Sequence, residues 1–234
     1  MLKAFLKTMR PAQWAKNVFI FTALVFDRKL AHLGALLPTL AGAILFSLLA
    51  SAIYIINDIA DIESDRKHPK KRYRPIPAGE LPLSMAWVGA VILILIILPS
   101  AYLLNSGFLF ICLLYLSLNL TYSKWLKHIP ILDVMILASF YVIRVTAGVV
   151  LVSVERFSPW LYVVTTLFAL FIGFGKRRAE LALSVDGDPN HRRVLDGYTL
   201  PLLDQLITIV SGTTIVAYSL YTFSAPNLPE NDAM

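Results

Sequence analysis

"IYIINDIADIESDRKHPKKRYRPIPAG", residues 53–79, closes a long apolar run and changes character within a dozen positions. Asp58, Asp61 and Asp65 come first, then Arg66, Lys67, Lys70, Lys71, Arg72 and Arg74. At about 100° per residue on a helix, the three aspartates fall within about 60° of one another, and Asn57 widens the stripe by only about 40°. Glu63 points nearly the opposite way. Carboxylates gathered on one face repel each other unless cations neutralise them. Hard oxygen donors with no His or Cys among them suit Mg²⁺, which bridges a few carboxylates and the oxygens of a diphosphate. The plainer alternative is a solvated helix end whose acids pair with the cations that follow, but such an end has no need to put every acid except Glu63 on one side.

Composition sets the environment for that stripe. Apolar residues make up 57% of the 234 and charged residues 15%, with a mean hydropathy of +0.68, whereas soluble domains are about a quarter charged. Several apolar runs approach the ~20 residues that a helix needs to cross a bilayer. The fold class is therefore an all-α polytopic membrane bundle. Seven spans are expected, at 15–33, 36–60, 84–104, 107–125, 130–152, 158–182 and 199–223. Asn105, Ser106 and Gly107 read as a tight turn, and Ser158 with Pro159 as the cap and first position of the sixth span. The single cysteine, Cys112, lies in an apolar run and reads as a packing residue.

Lysine and arginine sort by side. One set of span ends holds Lys3, Lys7, Arg10, Lys16, the cluster 66–74, Lys124, Lys127, Lys176, Arg177, Arg178, Arg192 and Arg193; the other holds Arg28, Lys29 and Arg156. The bias toward one side puts the N-terminus and the long polar loops in the cytoplasm, in a cytoplasmic (inner) membrane. The formal charge of +6 belongs to these loops rather than to a nucleic-acid surface, since no nucleic-acid motif accompanies it. "MLKAFLKTMRPAQWAKN" does not read as a cleaved signal, because Pro11, Trp14 and Lys16 interrupt it. Leu2, Phe5, Leu6 and Met9 share a face beside Lys3, Lys7 and Arg10, as in a helix lying on the membrane surface among its lipids. Arg10 suits interfacial snorkelling equally with a reach toward the polar end of the spans.

Inside the spans, Arg144 is a charge that needs a polar cavity. Asp133 lies eleven residues earlier, about 16 Å along the axis, so the two share a stripe but cannot pair. Arg144 is the candidate for a substrate contact, and Asp133 is expected to orient Lys127. The four histidines are scattered with no metal spacing, and Gly173 and Gly175 form no phosphate-binding fingerprint.

These motifs carry a resemblance. "NDIADIESD" is similar to the first aspartate-rich motif, NDxxDxxxD, of the UbiA superfamily of intramembrane prenyltransferases. "RPAQWAKN", "KRYRPIPAG", "YSKWLK" at 122–127 and "GKRRAEL" at 175–181 resemble one branch, the decaprenyl-phosphate phosphoribosyltransferases. The resemblance runs from about residue 10 to the end. It implies a helical bundle around a cavity open sideways to lipid, and transfer of a 5-phosphoribosyl group from phosphoribosyl pyrophosphate to a polyprenyl phosphate, with Mg²⁺ as cofactor. Asn57, Asp58, Asp61 and Asp65 would hold the metal, with the aspartates catalytic. Lys16, Arg66, Lys71, Arg72, Arg74, Tyr122, Lys127, Arg144, Lys176, Arg177 and Glu180 would bind substrate. Where ordinary members carry a second aspartate-rich motif, this chain reads "FGKRRAELALS", which favours a donor with an extra anionic group. The plainer reading of that stretch is an i,i+4 pair of Lys176 with Glu180. The family usually has nine spanning helices, so residues 1–234 read as one UbiA-like domain short of the last two, leaving a homo-oligomer as one source of the missing walls. Two other functions remain in view: prenyl transfer from a prenyl diphosphate to an aromatic or other small acceptor, and anion transport. A transporter would favour repeat symmetry and broken midplane helices, and no repeat is evident.

Overall fold

Six of the seven expected spans are long α-helices in the computed structural model, which describes residues 1–152, 159–183 and 193–224. Helix α1 (Leu2–Met9) is followed by a 3₁₀ segment (Pro11–Phe21), α2 (Thr22–Phe26), α3 (Leu33–Ala60), α4 (Ile62–Lys67) and α5 (Leu83–Leu104). Then come α6 (Ser106–Lys124), α7 (Leu132–Leu151), α8 (Trp160–Leu183) and α9 (Leu200–Ser224). In hydrocarbon each backbone N–H must be satisfied within its own segment, which is why uninterrupted apolar runs become helices. Pro38 and Pro99 are carried inside α3 and α5 without ending them. Arg156, Ser158, His191 and Arg192 lie outside the described residues.

Two turns differ from expectation. Asn105 alone links α5 to α6; its extended backbone and its side chain, which accepts from the Phe108 N–H at 3.0 Å, start α6 at Ser106. Helix α8 starts at Trp160, with Pro159 in the preceding turn.

The first expected span, 15–33, is not a continuous α-helix. Its 3₁₀ segment is 11 residues long, well beyond the usual short 3₁₀ turn. At about 2.0 Å per residue, and with the 5 residues of α2, it still covers about 30 Å, the thickness of a bilayer core. The reason for the tighter coil lies in its neighbour. Trp14 Nε1 donates to Ser51 Oγ at 2.9 Å, and Asn17 Nδ2 donates to Ser47 Oγ at 2.8 Å. Three residues of 3₁₀ helix rise about 6 Å, and so do four residues of α-helix. The two antiparallel segments therefore meet in step, Trp14 on Ser51 and Asn17 on Ser47. Behind the segment, α7 comes so near that a Cβ on Gly148 would stand 1.9 Å from the Ile20 carbonyl oxygen.

The interior is filled from several helices: Phe46, Leu49 and Ile53 of α3, Ile97 of α5, Phe108, Cys112 and Tyr115 of α6, and Phe140 and Ala147 of α7. Small residues such as Ala86, Ala90, Ala101 and Ala147 are fully buried where helices approach each other, the packing expected where lipid supplies no hydrophobic drive between helices. Leu95, Leu103, Ile215 and Phe223 point outward. Charge gathers at one end of the bundle, where Arg10 meets Asp58, Lys127 meets Asp61 and Arg178 meets Asp204.

Candidate active site at the charged end of the bundle

Helix α3 ends at Ala60, yet the acid stripe survives its end. Asp61 sits at φ −95° and ψ 10°, close enough to helical for its N–H to reach Asn57 O at 2.9 Å and for its own carbonyl to accept from Asp65 N–H at 2.8 Å. Helix α4 therefore continues the stripe through a slight bend. Asp58 and Asp65 are buried, 2% and 1% exposed, while Asp61 is half-exposed. Asn57 is half-buried beside them. Glu63 faces outward and pairs with Arg66 at 3.3 Å.

The loop after α4 folds back over these acids. His68 Nδ1 accepts from the N–H groups of Lys70 (3.1 Å) and Lys71 (3.3 Å), turning the chain. Pro75, Ile76 and Pro77 are buried, Leu81 N–H bonds Pro75 O at 3.0 Å, and Gly79 takes φ 78°, a left-handed turn that glycine makes without strain. The fold delivers Arg74: its Nη1 lies 3.1 Å from Asp58 Oδ1 and 2.6 Å from Asp65 Oδ2. Lys71 Nζ stands 3.5 Å from Asp65 Oδ1. The structure thus brings Lys71 and Arg74 to the acids. It leaves Arg66 on Glu63 and the exposed Arg72 on the Tyr73 hydroxyl (2.6 Å), both on the outer surface.

Arg10 is the site residue that sequence reasoning missed. Its Nη2 donates to Asp58 Oδ1 at 2.5 Å, and its guanidinium lies over the Tyr54 ring, 4.9 Å from the centroid. A left-handed turn at Arg10 (φ 54°) ends α1 just before Pro11 and aims this side chain inward rather than toward headgroups. The signal lay in the Arg-Pro pair, where the chain had to break.

Across from the acids, Lys127 is 3.6 Å from Asp61, so Asp133 does not orient it as expected. Asp133 is wholly buried and taken up elsewhere: Oδ2 accepts from Arg177 Nε and Oδ1 from the Tyr198 hydroxyl, both at 2.6 Å. Arg177 also holds Glu180 at 2.6 Å, so the buried Arg177, expected to meet phosphate, lies between two carboxylates. Lys176 is exposed and 4.0 Å from Glu180. Tyr198, in the turn before α9, accepts from the Ile131 N–H at 2.6 Å as well. Burial, and then its bond to Asp133, push this phenol well above the ordinary tyrosine range. Tyr122 is half-buried and meets Phe140 edge-on, with centroids 6.0 Å apart.

Deeper in the bundle, Arg144 donates to Asn17 Oδ1 (2.8 Å), Phe140 O (2.6 Å) and Tyr115 OH (3.0 Å). Lys16 lies within electrostatic range of Arg144, Lys176 and Arg10. The expectation that Asp133 and Arg144 find separate partners agrees with this arrangement.

The donor set can be tested against a divalent ion. No three His, Cys, Asp or Glu side chains among the described residues converge as a ready-made metal cage. Mg²⁺ does not need one, because one or two carboxylates complete its shell together with water and substrate phosphates. Asp58 and Asp65 supply two, drawn to one nitrogen of Arg74, and Asp65 Oδ1 is buried with no hydrogen-bond partner. The residues fit a small hard cation that takes over from the cations now gripping them. Asp61, turned toward Lys127, stands at the edge of that set.

Comparison with known proteins places these features. A profile of the UbiA prenyltransferase family matches residues 17–179. Decaprenyl-phosphate phosphoribosyltransferase of Corynebacterium glutamicum is 34% identical over 93% of this chain and 67% of its own length. The protein of that name from Mycobacterium tuberculosis is 34% identical over 93% of this chain and 73% of its own. Among solved structures, a UbiA homologue from Archaeoglobus fulgidus bound to DMAPP and Mg²⁺ superposes with a TM-score of 0.77 at 18% identity, covering 94% of this chain and 78% of that one.

Proposed function

We propose, from the premise that the chain belongs to the UbiA prenyltransferase family, that it transfers a 5-phosphoribosyl group from phosphoribosyl pyrophosphate to a polyprenyl phosphate, releasing pyrophosphate. The relatives with a phosphoribosyltransferase name support the branch. The observation that carries the reading is the division of charge in the site. Asp58, Asp61 and Asp65 gather on one side, while Lys16 stands within electrostatic range of Arg144 and Lys176, and Lys176 falls where prenyl-diphosphate enzymes of the family carry more acid. A transfer whose acceptor carries a phosphate of its own suits that division better than prenyl transfer to an uncharged acceptor.

Asp58 and Asp65, with Asn57 and Asp61 alongside, would hold Mg²⁺, and the ion supplies neutralising charge to the departing pyrophosphate. Arg74 and Lys71 sit on the same carboxylates and, with Mg²⁺ held there, would pair with the diphosphate oxygens instead. Arg74, with its planar fork, suits a phosphate edge; Lys71 acts as a point charge. Arg10, stacked on Tyr54, supplies a further cation on the inner side. As the C1–O bond of the sugar stretches, a phosphate oxygen of the lipid closes on C1. That nucleophile is already ionised near neutral pH, so the site requires no strong general base. Positioning and charge neutralisation are the main sources of rate. The family's cytoplasmic placement of the site accords with the crowding of Lys and Arg at this end of the bundle.

Purified protein incubated with labelled phosphoribosyl pyrophosphate, polyprenyl phosphate and Mg²⁺ should yield a labelled lipid and pyrophosphate. Product formed only from a prenyl diphosphate and an aromatic acceptor would overturn the reading. So would substrate flux into liposomes with no covalent product.

A further inference from the structure

The acids at the end of the bundle are matched by cations, but one deeper cation, Arg144, is not matched by an acid, and the Lys16 near it is exposed. Arg144 is 5% exposed, and its hydrogen-bond partners (Asn17, Tyr115 and a backbone carbonyl) are all neutral. The rings of Phe46, Tyr115 and Tyr141 surround it, with centroids 5.6, 5.2 and 5.8 Å from the guanidinium carbon. Among the described residues no carboxylate lies within ion-pair distance of it, and Lys16 adds a second positive charge nearby. An interior cation without a counter-ion costs several kcal/mol, and its retention calls for an anion.

A second feature meets the same place. An open groove of about 300 Å³ runs along the outer side of the 3₁₀ segment and α3, walled by Trp14, Val18, Phe21 and Ile44, with the buried Asn17 and Ser47 among its lining. Asn17 is the residue whose Oδ1 accepts from Arg144. An apolar channel along the lipid-facing flank and an unmatched interior cation are thus joined through one side chain. The occupant that fits both has an ionised head and a long hydrocarbon tail.

We propose that Arg144 and Lys16 bind the phosphate of the lipid acceptor, and that this groove carries the first isoprene units of its chain. The assignment rests on the transfer reading above and deepens it. Displacement at C1 puts the attacking oxygen on the side of the sugar away from the leaving pyrophosphate. The leaving group belongs with Asp58 and Asp65. Ser47, which holds Asn17, lies eleven residues before Asp58 on α3, about 16 Å deeper. The donor sugar fits between them, and the acceptor phosphate comes from the membrane side. One bond forms, from a lipid phosphate oxygen to C1; the C1–O bond to pyrophosphate breaks and its electron pair leaves with pyrophosphate. The phosphate monoester is ionised at neutral pH, so no proton needs to move.

Two measurements on the full chain in nanodiscs test the site. In the first, farnesyl phosphate is titrated against protein without Mg²⁺ or donor, with farnesol and inorganic phosphate as controls. Farnesyl phosphate should bind more tightly than either control, and Arg144→Gln should weaken it about tenfold or more, the loss expected for a hydrogen-bonded charge. Unchanged binding in that variant overturns the assignment. In the second, steady-state transfer separates the substrates. Arg144→Gln should raise KM for polyprenyl phosphate and leave KM for phosphoribosyl pyrophosphate as it was; a rise in the donor KM alone would place the donor's 5-phosphate there and refute the proposal. Because Arg144 is buried, Ala15→Trp serves as a variant on the exposed rim of the groove. It should raise the acceptor KM for farnesyl phosphate and for long chains alike while leaving the donor KM as it was, and an unchanged acceptor KM would sink the groove assignment. Binding that responds to Arg144→Gln in a protein unable to transfer phosphoribose would support the site and refute the transfer reading.

Discussion

Tyr198→Phe removes one oxygen from the charged end of the bundle, and the structure indicates its cost. The hydroxyl donates to the buried Asp133 carboxylate and accepts from the Ile131 N–H, each at 2.6 Å. Losing a hydrogen bond to a charged group costs about 1.5–3 kcal/mol, and orphaning the part-buried Ile131 N–H adds about 1 kcal/mol. Part of this is returned. Ile131 is held at φ 67°, ψ −50°, where a β-branched residue is strained by about 1–2 kcal/mol, and freeing it relieves that strain. The net expectation is a loss of about 2 kcal/mol, read by denaturant titration in mild detergent. Asp133→Asn should cost a similar amount, and the double variant less than the sum, because both changes break one bond. The phenol's upward shift gives the effect its pH signature. The neutral donor is the form the fold favours, so its contribution is complete below the ordinary tyrosine value near ~10 and fades as pH rises beyond it. Wild type and Tyr198→Phe should therefore differ equally at pH 7 and pH 9. Turnover should fall too, since the turn that Tyr198 pins leads directly from Lys127. A loss under about 0.5 kcal/mol, with unchanged turnover, would mean that this contact holds nothing in place.

Asp58→Ala and Asp61→Ala should each cut Mg²⁺-dependent turnover at least about a hundredfold with the protein still folded, whereas the outward Glu63→Ala should leave it near wild type. Rates near normal in either aspartate variant would remove the acids from the metal site. Arg10→Gln should lower the Mg²⁺ concentration needed for half-maximal turnover severalfold, because Arg10 and the ion compete for Asp58. A higher requirement would show that Arg10 instead holds that carboxylate ready. Gly148→Ala should cost about 3 kcal/mol or more, as its Cβ would drive into the Ile20 carbonyl, while Gly34→Ala, with nothing within 4 Å, should be neutral. Equal stability of those two variants, measured by thermal unfolding, would contradict the close approach.

The spans were legible because lipid leaves a chain few choices. The run read as 36–60 is Leu33–Ala60, and that read as 84–104 is Leu83–Leu104. The acid stripe was legible for a related reason, since helical spacing puts Asp58 and Asp65 on one side however the chain is packed. What the residues could not disclose were pairings set by packing. Asp133 and Tyr198 are 65 positions apart and meet only because the turn before α9 folds onto the start of α7. Arg10 looked like a headgroup contact because its helix is amphipathic, and a single left-handed residue reverses its direction. The 3₁₀ coil of the first span was hidden for the same reason. Its pitch answers to two serines on another helix, and nothing in residues 11–21 alone announces that.

That coil restricts which changes of length the protein can absorb. Deleting or adding three residues before Asn17 moves the segment by a whole turn, so the amide still faces the same way. A change of one residue swings it by about 120° and carries it off both Ser47 and the guanidinium beyond. Natural variation in this stretch should therefore come in triplets of amino acids or not at all.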